Sequence, residues 1–113
     1  MHESALARQI AAIALQRAAS AGARVVRRVS GWVAETEKIS IDSLRLHFTG
    51  ATRGTPAEGA ALDLRITHVQ ARCGSCGATY APEHHLLLCP RCGATGGVLL
   101  GQTGLGVDTL DVD

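Results

Sequence analysis

Apolar positions recur along this chain at two different spacings, and the changes of spacing mark out its elements. Over residues 4–21, Leu6, Ile10, Ile13 and Ala14 share one face at helical spacing. Arg8, Gln9, Gln16 and Arg17 take the solvated face, and Gly22 stands where the helix would end. Residues 24–34 read as a strand with Val25, Val29 and Val33 on one face, an alternation that Arg27 and Gly31 weaken. Ser40 is placed as the N-cap of a second helix. Asp42 falls in its first turn, Ile41, Leu44 and Phe48 form its apolar stripe, and Gly50 closes it. A loop over 50–59, with Pro56 inside, leads to the plainest strand of the chain. There Ala60, Leu62, Leu64 and Ile66 alternate with Ala61, Asp63, Arg65 and Thr67. Near the end Leu105 and Val107 keep one phase and Leu110 and Val112 the other, which predicts a bulge at Asp108 and Thr109.

This order predicts an α+β fold, with two helices packed on a small three-stranded sheet whose last strand returns to pair with the first two. The segment between the last two strands then becomes an inserted zinc-ribbon-like module. The expected division is one lobe of residues 1–70 plus 102–113 and a module of residues 71–101, hung on two short connections and able to move as a unit. Composition agrees: 46% of the 113 residues are hydrophobic, yet Trp32, Phe48 and Tyr80 are the only aromatics. The core must therefore be aliphatic and rich in alanine, which favours helices over an all-β fold.

All four cysteines lie in the module, as Cys73-Gly-Ser-Cys76, a spacer of twelve residues, and Cys89-Pro-Arg-Cys92. Each Cys-x-x-Cys turn offers two thiolates from one tight loop, and two turns complete the tetrahedral set of a closed structural Zn(II) site. Gly74, Gly77 and Gly93 suit the turns, and Pro90 stiffens the second. Disulfides fit poorly, since nothing marks a secreted chain, and a redox dithiol would stand alone beside a βαβ pattern. The N-terminus lacks a basic start followed by an apolar run, and no segment reaches transmembrane length, so a cytoplasmic chain is expected. The formal charge is +1. With four thiolates and one Zn(II) bound the chain stays near neutral, which speaks against long-range steering toward nucleic acid.

Met1-His2-Glu3-Ser4 with Leu6 and Ile10, then Leu44 and Phe48, then Gly54-Thr55-Pro56-Ala57-Glu58-Gly59-Ala60 and Leu62, and finally both cysteine turns, carry a resemblance. In these residues the chain resembles the HypA/HybF family, the nickel metallochaperones of hydrogenase maturation, over nearly its whole length. The resemblance implies an α/β nickel-binding lobe, with Ni(II) held as cargo around Met1, His2 and Glu3, and a zinc lobe with Cys73, Cys76, Cys89 and Cys92 as ligands. It also implies a HypB-like maturation GTPase as partner, and delivery to the hydrogenase large subunit or, in some members, to urease. Two departures bear on partner docking and target identity. Val33-Ala34-Glu35-Thr36-Glu37 replaces the family's Ile-Gly-x-Leu-Ser turn, and Gly104 replaces a glutamate.

The ligand chemistry can be argued without the family name. The α-amine of Met1, the amide nitrogen of His2 and its imidazole Nδ1 close two fused chelate rings, and the amide or carboxylate of Glu3 fills a fourth position. Such a planar, nitrogen-rich set suits Ni(II) and Cu(II). The bulky second residue also favours retention of Met1, and any extension before it would destroy the amine ligand. The plain alternative is a solvated terminal histidine. Copper outranks nickel on such ligands, so selectivity must come from handover or availability.

His84 and His85 read as a solvated hairpin tip or as imidazoles near the metal, and His47 and His68 as surface or sheet-edge residues. Arg24, Arg27 and Arg28 form a basic cluster, either a solvated face or a contact for an acidic partner. Asp108, Asp111 and Asp113 form the exposed side of the last strand. No phosphate-cradling loop and no nucleophile with a readable base remain, so the chain is read as a non-enzyme. The rival to a nickel carrier is a zinc-ribbon adaptor binding nucleic acid or protein without handling nickel. Against it stand the near-neutral charge and the few aromatics available for base stacking. A monomer and a module-swapped homodimer both fit.

Overall fold

The computed structural model describes residues 3–35, 39–82 and 87–113. Its elements are α1 (Glu3–Ser20), β1 (Val26–Glu35), α2 (Ile41–Ala51), β2 (Ala61–His68), β3 (Gln70–Arg72), β4 (Thr79–Tyr80), β5 (Val98–Leu100) and β6 (Leu105–Val112). Two compact units share them. One comprises Met1–Trp32, Ser40–Arg65 and Leu105–Asp113, and the other Val33–Ile39 and Ile66–Gly104. The second unit contains the cysteine segment and extends past the expected 71–101 on both sides, because the strands that carry the segment belong to its packing.

In the first unit, α1 packs on α2 and on β6. Its buried stripe is Leu6, Ala7, Ile10, Ala11, Ala14 and Ala18, while Ile13 is half-buried. Four of the six are alanines, whose small side chains allow close approach to neighbouring elements. The helix closes as a Schellman motif around Gly22 at φ +68, with the Ala23 N–H on the Ala18 carbonyl and the Gly22 N–H on Ala19. Helix α2 starts as expected, the Ser40 side chain accepting from the Ser43 N–H at 3.2 Å, and buries Leu44 and Phe48. Its end differs from the expectation at Gly50. The helix runs on through Ala51 to a cap at Thr52, whose buried hydroxyl donates to the Phe48 carbonyl at 2.9 Å. The Thr52 N–H reaches the same carbonyl at 3.1 Å, and Gly50 keeps a negative φ within the helix. The following turn is tied to the sheet where the Val26 N–H donates to the Pro56 carbonyl at 2.9 Å.

The three-stranded sheet has the order β2-β1-β6, so the last strand does return beside the first. Val26, not Val25, begins the buried face, which continues through Val29, Gly31 and Val33; Val25 is exposed. Arg27 and Arg28 are consecutively exposed, which moves the phase by one residue. On β6, Asp108 and Thr109 are likewise consecutively exposed between buried Val107 and half-buried Leu110, so the alternation changes phase there. A Cβ on Gly31 would lie 2.2 Å from the Gly106 carbonyl oxygen, so the missing side chain lets β1 and β6 approach.

The second unit holds a second three-stranded sheet, β4-β3-β5, that the sequence pattern does not announce. Its strands pair antiparallel, with Ala71 opposite Tyr80 on one side and Leu99 on the other. Strands this short show too few alternations to be read as strands.

Candidate metal centre

Two backbone turns of one design set the four sulfurs. In the first, the Cys73 N–H donates to the Ala78 carbonyl at 2.9 Å and the Gly77 N–H returns to the Cys73 carbonyl at 3.1 Å. In the second, the Cys89 N–H reaches Ala94 at 3.0 Å and Gly93 returns to Cys89 at 2.9 Å. Gly77 at φ +74 and Gly93 at φ +75 occupy equivalent left-handed positions, which other residues adopt at a cost. In each turn the first cysteine is buried and the second exposed.

The turns face each other. Cys73 Sγ lies 3.5 Å from Cys92 Sγ, and Cys76 Sγ lies 3.7 Å from Cys89 Sγ. All four sulfurs fall within 4.8 Å of one another. A tetrahedron built on metal–thiolate bonds of about 2.3 Å has edges of about 3.8 Å, so the cluster has the dimensions of a four-thiolate metal site. All four cysteines are free. Their proton affinities are unequal. The N–H groups of Cys76 and Ser75, each 3.4 Å from Cys73 Sγ, pull that thiol down to about 6. The Cys92 N–H, assisted by Arg91, lowers Cys89 against the effect of burial. At Cys92 the Ala94 N–H pulls downward, but Cys73, burial, Cys76 and Cys89 together outweigh it and push the thiol up to about 12.

Ala71, Cys73, Tyr80 and Cys89 form the unit's small core, with Ala78, Leu87, Ala94 and Leu99 packed against it. Tyr80 is the residue the sequence reading passed over. Its buried hydroxyl has no hydrogen-bond partner among the described residues, and burial beside the four sulfurs raises its pKa. A Cβ on Gly97 would sit 2.5 Å from that oxygen. The only signal in the sequence was a lone aromatic close to the first knuckle.

The structure places the other candidates separately. Glu3 opens α1 and is half-buried, while Met1 and His2 lie outside the described residues, as do His84 and His85. His47 is exposed on α2. His68 Nδ1 meets Glu35 Oε2 at 3.3 Å, and the other Glu35 oxygen accepts the Ile39 N–H at 3.3 Å. The basic cluster meets the chain's own acidic end. Arg27 Nε donates to Asp113 at 2.7 Å, and Arg28 lies 3.6 Å from both Asp63 and Asp111. Among the described residues no helix is long and apolar enough to cross a membrane.

An α+β lobe joined to a unit built on four facing thiolates defines a metal-handling protein. The whole-chain comparison narrows this to a family. Residues 1–112 match the family described as "Hydrogenase/urease nickel incorporation, metallochaperone, hypA", and the chain belongs to it. The chain is 33% identical over 115 residues to the hydrogenase maturation factor HypA of Rhodobacter capsulatus, covering 99% of each. To the factor of the same name from Dehalococcoides mccartyi it is 26% identical over 113 residues, covering 100% of this chain and 95% of the relative. The solution structure of the Ni metallochaperone HypA from Helicobacter pylori shares the fold at TM-score 0.65 and 18% identity, covering 99% and 97% of the two chains. The family's described work is nickel incorporation rather than catalysis, which favours the carrier reading over the adaptor.

Proposed function

We propose that the chain binds Ni(II) through the Met1 α-amine, His2 and Glu3 and passes it on during hydrogenase maturation, while Cys73, Cys76, Cys89 and Cys92 hold a structural Zn(II). The observation that carries this reading is the family match over residues 1–112, joined to a four-sulfur cluster of tetrahedral dimensions. Zinc fits the cluster because it takes four thiolates in a closed tetrahedron and needs no redox chemistry. When bound it supplies a crosslink between the two knuckles. The nickel lobe corresponds to the unit that begins with α1, where Glu3 is the first helical residue. Transfer proceeds by ligand exchange to a HypB-like GTPase and the hydrogenase large subunit, with urease as the second possible target. Free thiols arranged for metal support a cytoplasmic setting for this work.

Calorimetric titration of the zinc-loaded chain with Ni(II) tests the proposal. The native start should bind about one equivalent, and both His2→Ala and a two-residue extension before Met1 should abolish binding. Equal binding by all three would move the nickel site elsewhere, and no binding by any would end the carrier reading.

A further inference from the structure

The two outer strands of the β2-β1-β6 sheet differ as edges. On β6 the alternation breaks at Asp108 and Thr109, and α1 packs against the strand. A covered strand whose alternation breaks is a poor template for further pairing. On β2 the alternation continues from exposed Ala61 through buried Leu62, exposed Asp63, half-buried Leu64 and exposed Arg65. The Leu62 carbonyl accepts Arg45 Nε from α2 at 3.2 Å. Backbone groups on a strand alternate sides, so those of Leu62 and Leu64 both face outward. Arg45 takes one of the two acceptor positions on the Leu62 oxygen. Beside this edge runs a groove of about 390 Å³ lined by Arg45, Phe48, Thr49 and residues 60–63, together with Arg28.

We propose that this edge of β2 docks a second copy of the chain, pairing antiparallel with itself about Leu64. In that register Leu64 faces Leu64, and the outward-facing backbone groups of Leu62 and Leu64 find partners. The exposed side decides the register by charge. Asp63 of each copy lies opposite Arg65 of the other, so two opposite-charge pairs form across the seam. Sliding by two residues in one direction sets Asp63 against Asp63, and in the other sets Arg65 against Arg65. A slip of one residue would turn Leu64 to the charged face. Half-buried Leu64 becomes covered, and the contact is isologous, so it closes at two copies. Arg65 already lies 2.7 Å from Asp108, and its five donors allow it to bridge both carboxylates.

Sedimentation velocity of the metal-loaded full chain over a range of concentrations tests this. A reversible monomer–dimer equilibrium is expected. Asp63→Arg and Arg65→Asp should each weaken it by about tenfold or more, since every opposite pair becomes a like pair, and the double exchange should restore it. Asp63→Asn should weaken it only a few-fold, which keeps the test valid if a charge reversal unfolds the chain. Asp108→Asn, which releases Arg65 without altering either edge charge, should leave the dimer intact or tighter. A monomer at all concentrations overturns the proposal. So does a dimer indifferent to both single reversals, as exchange of the cysteine module between copies would give, or a folded double exchange that fails to restore pairing.

Discussion

Cys73 and Cys92 carry the same side chain and face each other at 3.5 Å, yet their proton affinities move in opposite directions. The difference comes from where backbone N–H groups point: two converge on Cys73, whereas Cys92 is the last member of a cluster already holding negative charge. Metal-stripped, reduced protein followed by thiolate absorbance should therefore titrate over a wide range, beginning at about pH 6 and finishing only at about pH 12. Four independent thiols would rise together near 9, and these macroscopic steps belong to the cluster. The sign for stability follows. The lowered Cys73 stabilises the metal-free fold above the unfolded thiol range, and that contribution is lost as pH falls through about 6. At Tyr80 the argument is steric. Gly97→Ala would bring a methyl to 2.5 Å from Tyr80 Oη and 3.0 Å from the Arg72 carbonyl, so it should destabilise the second unit by about 1–3 kcal/mol. Tyr80→Phe removes a buried hydroxyl that has no partner among the described residues and should be neutral or stabilising. In a double-mutant cycle followed by denaturant unfolding, Tyr80→Phe should recover part of the Gly97→Ala loss. Additivity would show that the hydroxyl is not the obstacle.

Elements are held by a few positions whose replacement can be ranked. Gly31→Ala drives a methyl into the Gly106 carbonyl, rigid backbone that cannot yield, and should cost about 3 kcal/mol or more. Gly106→Ala meets the Trp32 indole at 2.4 Å, a side chain that can swing aside, and should cost less. Ser40→Ala removes one cap bond and should cost about 1 kcal/mol. Urea midpoints that fail to follow this order would break the packing account of β1 and β6. The same positions show what the sequence made legible. Ser40, Gly22, the Leu62–Leu64 alternation and the doubled cysteine turns are local signals, and each held because neighbours within five residues decide it. The Val25 reading failed because the consecutive exposure of Arg27 and Arg28 shifts a phase that valine spacing alone cannot register. Gly50 failed because it does not take the left-handed conformation that would end the helix, which runs on to Thr52. The sheet of β3, β4 and β5 and the burial of Tyr80 depend on pairings such as Ala71 with Leu99, too distant in sequence for a pattern to reveal.

For the whole molecule, the division into two units of different construction has an energetic consequence. The first has a continuous core of Leu6, Ile10, Val26, Val29, Leu44 and Phe48. In the second, the cluster around the sulfurs is Ala71, Cys73, Tyr80 and Cys89, too small to offset the chain entropy of the surrounding loops without a crosslink. A metal on four thiolates supplies what the apolar contacts lack, since a site absent from the unfolded chain turns binding free energy into folding free energy. Removal of the ion by a strong chelator under reducing conditions should therefore raise amide exchange throughout the described parts of Ile66–Gly104. The amides of α1, α2 and the Val26–Trp32 stretch of β1 should remain protected. Replacing Cys73 or Cys89, the two buried sulfurs, with serine should reproduce that pattern without chelator. Simultaneous loss of protection in both units would mean that they unfold as one cooperative body. Unchanged exchange after verified metal loss would mean that the knuckles hold their shape through backbone bonds alone.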